Sequence, residues 1–159
     1  MLQIILILFS IFILTPNLFS QEITLSDEKR IQSLIEEFSD KDQFVNGEAI
    51  NELVKIGEPA VEYLTKSLQD EDENVRWCSA IALEKISPIG KQSIPFLSKA
   101  LQDKNSDVRW CSALALGKFQ TDAVSAISEL QKLLFDEDYD VRWAAYISLS
   151  KIDKKYLNV

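Results

Sequence analysis

Residues 75–80 read VRWCSA, the same letters return at residues 108–113, and a third copy, VRWAAY, occupies residues 141–146. The valines that open the copies, Val75, Val108 and Val141, are 33 residues apart. The similarity extends upstream, where LQDEDENVRW, LQDKNSDVRW and LFDEDYDVRW match. A repeat of this length is typical of helical solenoids, in which each unit is one supersecondary element.

A fainter copy precedes these three. The stretch FSDKDQFVNGEAINELVKIG at residues 38–57 places Asp40, Asp42 and Val45 opposite Asp70, Asp72 and the first valine of the repeat. The sequence therefore predicts four units, of which the first is degenerate. They cover about residues 27–57, 58–90, 91–123 and 124–156 within a domain of residues 21–159.

Each unit has the pattern of two helices. Apolar residues recur at helical spacing in the first helix, as in Val61, Leu64 and Leu68. The second helix follows an Asp or Asn that suits the N-cap position, whose side-chain oxygen accepts an otherwise unpaired backbone N–H. These candidate caps are Asp42, Asp72, Asn105 and Asp138. The pairs Gly57 with Pro59 and Pro88 with Gly90 separate units, and the pattern predicts an all-α fold.

The shared pattern D-x-D-x-x-V-R-W-x-[AS]-x-x-[AS]-L-x-K resembles HEAT repeats, particularly the short bilin-lyase-like subtype, over about residues 27–156. This resemblance implies a right-handed α-solenoid of four helix pairs, with the second helices lining a concave surface. It also implies a structural ladder between adjacent units, formed by Arg76, Arg109 and Arg142 with Asp70, Asp103 and Asp136. The fold alone does not determine a function.

A helical wheel of the second helix in unit two separates two faces. The core face holds Val75, Ser79, Ala82, Leu83 and Ile86, and the opposite face holds Trp77, Ala80, Ile81 and Glu84. The same construction places Trp110 with Leu114, and Trp143 with Ile147, away from the core. We therefore predict a partner-binding stripe of Trp77, Ile81, Trp110, Leu114, Trp143, Tyr146 and Ile147.

Two interpretations of the tryptophans stay open at this stage. Large exposed apolar patches usually mark partner sites, so the stripe suits a groove for an extended peptide or a partner helix. Alternatively, each tryptophan packs against the Trp or Arg of the neighbouring unit, with cation–π contacts to the repeated arginines. Unit one has Gly47 and Asn51 at the equivalent positions and is predicted to be a cap.

Charge limits the range of partners. The chain carries a net charge of -8 and has a pI near 4.6, so its field repels nucleic acid and anionic lipid. The acidic turns at residues 70–73 and 136–140 suit a basic protein or peptide instead. These turns also resemble the start of a calcium loop, but Val75 and Val141 stand where such a loop needs glycine. We expect capped turns and no metal.

Catalysis is not predicted. The sequence contains no histidine, which excludes histidine-based triads and histidine-ligated metal sites. Cys78 and Cys111 occupy the same place in neighbouring units, and equivalent helices pack about 8–10 Å apart, too far for a disulfide. We expect two buried, unbridged thiols, no catalytic residue and no cofactor.

The N-terminal segment predicts export. Residues 1–21 carry no charged side chain, and the apolar run from Leu2 to Leu14 has the length of a signal-peptide core rather than of a membrane span. We predict a signal peptide over residues 1–20, cleaved after Ser20, with a retained N-terminal anchor as the alternative. The domain would then be periplasmic or extracellular, and it would meet a membrane only if the segment is retained.

These patterns favour a non-catalytic scaffold that binds a protein or peptide along its concave stripe. Two alternatives remain. One is a bilin-lyase-like enzyme or accessory whose groove holds a tetrapyrrole or another flat apolar ligand. The other is a structural module that associates with itself through an apolar face.

Overall fold

The computed structural model describes residues 24–40 and 42–158. Within these residues the chain forms eight α-helices and no strand, so the predicted all-α solenoid of four helix pairs is confirmed. None of these helices combines the length and the apolar character that a bilayer span requires. The predicted signal peptide or anchor lies outside the described residues.

The helices form four pairs, one in each unit. The pairs are α1 Leu25–Glu36 with α2 Gln43–Ile56, α3 Glu58–Ser67 with α4 Glu73–Ile86, α5 Ile94–Ala100 with α6 Ser106–Lys118, and α7 Ile127–Leu133 with α8 Tyr139–Ile152.

The predicted N-caps are confirmed in all four units. Asp42, Asp72, Asn105 and Asp138 each accept a hydrogen bond from the backbone N–H two residues further on, at 2.8–2.9 Å. Each bond pairs one of the backbone donors that a helix N-terminus leaves free, and a cap of this kind stabilises a helix by about 1 kcal/mol. The acidic turns are therefore helix caps.

Two glycines act as predicted at the breaks between units. Gly57 ends α2 with φ 73°, and Pro59 occupies the first turn of α3, where a missing N–H costs nothing. Gly90 follows α4 with φ 81°. A Cβ atom at Gly90 would lie 2.6 Å from Cγ1 of Val61, so both the backbone conformation and the space require glycine.

The hydrophobic core runs continuously through all four units. Its largest fully buried side chains come from both helices of each pair, and they include Ile31, Leu53, Leu64, Leu97, Leu116, Leu130 and Leu149. A single pair of short helices cannot bury its own apolar face. Stacking on the neighbouring units therefore supplies most of the stability.

The second helices α2, α4, α6 and α8 form the inner layer. Each packs closely against the next one, whereas the first helices of consecutive units contact one another much less. A stack that is tighter on one side curves toward that side, so the second helices line the concave surface.

One position on this layer was predicted wrongly. Ala80, placed by the helical wheel on the face away from the core, is fully buried, as is its equivalent Ala113. The reason is that a small residue there lets the next inner helix approach. Ser148 of α8 donates a hydrogen bond of 2.7 Å from its Oγ to the carbonyl of Ala113. A wheel drawn for one helix cannot show this second packing face.

Candidate partner-binding surface

A ladder of arginine and aspartate joins neighbouring units. Arg76 donates from Nε and Nη2 to the two carboxylate oxygens of Asp103, at 2.7 and 3.1 Å. Arg109 binds Asp136 in the same bidentate manner, at 2.9 and 2.7 Å. Each arginine also donates from Nη1 to carbonyls of its own turn, so it fixes that turn while holding the next unit. The ladder implied by the HEAT resemblance is confirmed for these two pairs.

The pair of Arg109 and Asp136 is deeply placed, with 8% of each side chain exposed. Burial raises the pKa of Asp136, but hydrogen bonds from Arg109 and from the N–H of Asp138, together with nearby positive charge, outweigh it and the pKa lies below its usual value. The hydrogen bond to Asp136 likewise raises the pKa of Arg109. All three guanidinium nitrogens of Arg109 donate hydrogen bonds within the protein, so this arginine serves as a structural contact between units.

The ladder changes at both ends of the stack. In unit one, Asn46 occupies the arginine position and donates to the carbonyl of Asp40 at 3.1 Å, so Asp70 lacks the guanidinium that its equivalents have. In unit four, Arg142 donates from Nη1 to two carbonyls of its turn, at 2.7 and 2.9 Å. Its ring contact is with Tyr139, at 5.5 Å from the guanidinium carbon to the ring centroid. The alternative of arginine–tryptophan cation–π contacts is not found among the described residues.

The three tryptophans are not equally accessible. Trp77 and Trp110 are half-buried and pack against the core, whereas 49% of Trp143 is exposed. The indole of Trp77 lies near Cys111 of the next unit, where it slightly lowers the pKa of that thiol against the larger effect of burial. Among the described residues, no further helix pair packs over Trp143. The first two tryptophans therefore contribute to packing and remain partly accessible to solvent.

The aliphatic members of the predicted stripe are also partly buried. Ile81 and Leu114 are half-buried and pack against the core, and Ile147 is half-buried at the equivalent position. Tyr146 is also half-buried, but it occupies the position of the buried Ala80 and Ala113 and so faces the end of the stack. The inner surface thus has a narrow apolar floor.

An acidic cavity opens beside Trp110, between units three and four. Its volume is about 220 Å³, and its lining consists of Ser106, Asp107, Trp110, Asp138 and Asp140. Three carboxylates next to an indole are suited to a cationic side chain, because ion pairing and cation–π attraction then act on the same group. The sequence analysis singled out Trp110 and the acidic turn at residues 136–140, but not Ser106 or Asp107. Their convergence depends on the stacking of two units.

The opposite edge of the inner surface is basic, a feature that the prediction of the stripe missed. Lys118 donates to the backbone carbonyl of Glu84 in the preceding unit at 2.8 Å and pairs with its carboxylate. Lys85 reaches back in the same way to Asn51, at 3.4 Å. The signal in the sequence was the lysine at a constant offset in every unit, at Lys55, Lys85, Lys118 and Lys151.

The two cysteines are buried and unbridged, as predicted. Burial raises the pKa of Cys78 to about 11 and that of Cys111 to about 12, with smaller contributions from neighbouring carboxylates. A thiol is nucleophilic only as the thiolate, so neither cysteine is set up for covalent chemistry. Within the described part of the chain, no three potential metal-binding side chains lie close enough together to hold a metal ion.

We expect both thiols to resist a disulfide reagent at mildly alkaline pH while the protein is folded. Unfolding in guanidinium should release two equivalents of thiol, matching the two cysteines. The control is Ser128→Cys, which places a thiol on an exposed position of α7 and should react within minutes. Native cysteines that react as fast as this control would contradict the assigned burial.

Comparison with known proteins agrees with this architecture. The HEAT-repeat family model matches residues 31–109 and 94–157. A structure of the complex of CpcE and CpcF of phycocyanin lyase from Nostoc sp. PCC7120 is similar at 26% identity and a TM-score of 0.71, covering 79% of each chain. A search of curated protein sequences found no match.

Two man-made proteins are also similar. An engineered protein shares 25% identity with a TM-score of 0.57, over 78% of this chain and 64% of the other. A designed armadillo repeat protein in complex with the peptide (KR)4 shares 19% identity with a TM-score of 0.54, over 80% and 67%; at that identity the likeness concerns the fold. Because the family model spans most of the sequence, the chain belongs to the HEAT-repeat family.

Proposed function

We propose that this protein is a non-catalytic binding module whose inner surface holds a basic segment of another protein. The observation that carries the proposal is the cavity in which Trp110 lies beside Asp107, Asp138 and Asp140. The net charge of -8 supports it, because long-range attraction would bring a cationic partner to this surface.

The cavity has the chemistry to recognise a lysine or arginine side chain. A cation over an indole gains about 0.5–2 kcal/mol, depending on how far it is desolvated. Asp107 and Asp140 are exposed on the rim, whereas Asp138 is partly engaged as the cap of α8. Packing between units holds Trp110 in place, so little side-chain freedom would be lost on binding.

The remaining inner surface suggests how an extended segment would continue. Ile81, Leu114 and Ile147 form an apolar floor between the acidic edge and the lysine edge. Such a segment would place basic residues toward the acidic turns and apolar residues on the floor. In the designed armadillo repeat protein, a solenoid of similar fold is in complex with (KR)4, so the architecture is compatible with a basic peptide.

The test is calorimetric titration with a peptide of alternating lysine and arginine. We expect a dissociation constant in the micromolar range that weakens steeply with salt. Trp110→Ala should weaken binding at least about 10-fold, because it removes the cation–π surface. Glu62→Gln is the matched control: it removes one negative charge on α3, where the glutamate is exposed and paired with Lys66.

Equal affinity for a neutral peptide of the same length would overturn the proposal. So would an unchanged affinity in the Trp110 variant, since the binding would then come from the overall charge alone.

We also propose that the protein is exported, because the apolar run from Leu2 to Leu14 predicts a signal peptide. The basic partner would then be met in the periplasm or outside the cell.

A second candidate function follows from the likeness to the phycocyanin lyase complex, which extends over 79% of this chain. In that case the inner surface would hold a flat apolar ligand such as an open-chain tetrapyrrole. The absorbance spectrum of the purified protein distinguishes the two candidates. Visible absorbance, or saturable binding of an added bilin that Trp110→Ala abolishes, would favour the second one.

A further inference from the structure

The acidic cavity at Trp110 has a counterpart one unit earlier. Every residue that lines the cavity has an equivalent 33 positions upstream in the sequence. This second set consists of Glu73, Asn74, Trp77, Asn105 and Asp107. Asp107 lies in the first turn of α6 and belongs to both sets. The inner surface therefore carries the same arrangement twice, between units two and three and between units three and four.

The structure repeats this arrangement as closely as the sequence does. Oδ1 of Asn105 accepts hydrogen bonds from two backbone N–H groups at 2.8 and 3.3 Å, and Oδ1 of Asp138 accepts the equivalent pair at the same two distances. The ion pairs of the ladder are 2.7 Å long at both places. Trp77 and Trp110 are both half-buried. The place at Trp77 is thus a copy of the cavity, displaced by one unit.

Both places carry carboxylates that are available to a cation. Glu73 and Asp107 are exposed, and neither forms an ion pair with another described residue. The place at Trp77 has these two carboxylates, whereas the cavity at Trp110 has three. Each indole can also attract a cation through its ring face. Charge complementarity therefore favours one cationic side chain at each tryptophan.

The distance between the two places is set by the packing of neighbouring inner helices. The helices α4 and α6 pack closely, and helices in contact lie about 8–10 Å apart. In a β-strand, residues two apart span only about 7 Å, and residues three apart point to opposite faces. In a polyproline II helix, every third side chain lies on the same face, at intervals of about 9.3 Å. The spacing of the two places matches the polyproline II repeat.

We propose that the inner surface binds a partner segment in the polyproline II conformation, whose cationic residues are three positions apart and lie at Trp77 and Trp110. This inference rests on the proposed function and specifies its partner. Ile81 and Leu114 each follow a tryptophan by four residues, so they recur with the same period. Apolar residues between the two cations, such as proline, would lie on these side chains. A polyproline II segment is ordered before it binds, so it loses little entropy.

A partner α-helix would need a different spacing and a wider surface. Its residues seven apart lie on about the same face and span about 10.5 Å. A helix docks by burying a broad apolar face, and it is about 10–12 Å in diameter. The floor offers one half-buried aliphatic side chain in each unit, at Ile81, Leu114 and Ile147. The narrow floor therefore favours the extended segment.

The test uses three labelled peptides of equal length and charge, in which one, two or three prolines separate two arginines. Fluorescence anisotropy with the full chain at low ionic strength gives the three dissociation constants. We expect the peptide with two prolines to bind at least about 10-fold more tightly than the others, because it alone occupies both places at once. Equal affinities would overturn the proposal, and so would tighter binding of a helical peptide whose arginines are seven apart.

Variants at the earlier place make the result specific. Trp77→Ala should remove the advantage of the two-proline peptide and change the affinity for the one-proline peptide by no more than about twofold. Glu73→Gln alters only the exposed rim, so it keeps the fold and should reduce the same advantage. Asn105→Asp copies the cap of unit four and should strengthen binding of the two-proline peptide by at least about twofold. Glu62→Gln is again the control, and an equal effect of this control would contradict the assignment.

The peptide of alternating lysine and arginine separates this inference from the proposed function. It offers cations at every spacing, so it can fill the cavity at Trp110 without a preferred register. If its binding depends on Trp110 but the three proline peptides bind equally, the spacing is wrong and the proposed function stands. If its binding does not depend on Trp110, both proposals fail.

Discussion

Replacing Arg109 with methionine is expected to lower the free energy of unfolding by about 3–5 kcal/mol, the range seen when one partner of a buried ion pair is removed. The change leaves the carboxylate of Asp136, which is 8% exposed, without its bidentate partner. It also removes the hydrogen bonds that the guanidinium donates to the carbonyls of Asp103 and Lys104. Urea unfolding followed by far-UV circular dichroism measures the loss.

Arg142→Met is the matched control, because this arginine makes the carbonyl bonds of the ladder but binds no aspartate of a following unit among the described residues. Its loss should cost only about 1–2 kcal/mol. If the two variants lose the same stability, the connection between Arg109 and Asp136 contributes nothing beyond fixing a turn, and the ladder does not join the units.

The ion pair of Arg109 and Asp136 also predicts how the stability of the protein depends on pH. The pKa of Asp136 is lower in the folded protein than in the unfolded chain. Its contribution is therefore complete above the unfolded value, near pH 4, and is lost as the pH falls through the folded value. Asp136→Asn should be less stable than the parent at neutral pH, and the difference between them should shrink in strong acid. A difference that grows on acidification would contradict the direction of this shift.

Gly117→Ala is expected to destabilise the protein by about 2–3 kcal/mol, although alanine is the better helix former. A Cβ atom there would lie 2.6 Å from Oγ, 2.9 Å from Cβ and 3.0 Å from Cα of Ser148. Because one of these atoms belongs to the backbone, a side-chain rotation cannot relieve the overlap. The two inner helices α6 and α8 would have to separate, which also weakens the hydrogen bond from Ser148 to Ala113.

Gly47→Ala is a control that should change the free energy of unfolding in the opposite direction. Gly47 lies in α2, and a Cβ atom at this position meets nothing within 4 Å. Alanine there should raise the free energy of unfolding by about 0.5–1 kcal/mol through helix propensity alone. Thermal and urea unfolding of both variants give the comparison. Stabilisation by both alanines would show that α6 and α8 are further apart than described.

The local features of this fold were predictable from the sequence because they depend on neighbours a few residues away. An N-cap such as Asp72 binds the N–H two residues on, and the breaks at Gly57 and Gly90 are set by backbone conformation. The repeat itself implied stacking, since the helix pairs are too small to stand alone. The lack of a disulfide between Cys78 and Cys111 followed from their equivalent positions in neighbouring units.

Features that depend on the next unit were harder to predict. The helical wheel placed Ala80 on an open face, but an inner helix has one side toward its own pair and another toward the following unit. The acidic cavity unites Asp107 and Trp110 with Asp138 and Asp140, which are separated by almost one repeat. The distance between such groups is set by how two units pack, and no local pattern contains it.

The sequence by itself determined the four units, the two-helix pattern of each unit and the N-caps. Only the tertiary structure decided what each repeated residue does. The same letters VRW occur in three units, yet Trp77 and Trp110 are half-buried while 49% of Trp143 is exposed. Likewise Arg76 and Arg109 bind aspartates of the next unit, whereas the described hydrogen bonds of Arg142 go to carbonyls of its own turn. The physical reason is that in a stack each residue's environment is completed by the unit that follows, and no unit follows unit four among the residues that the structure describes.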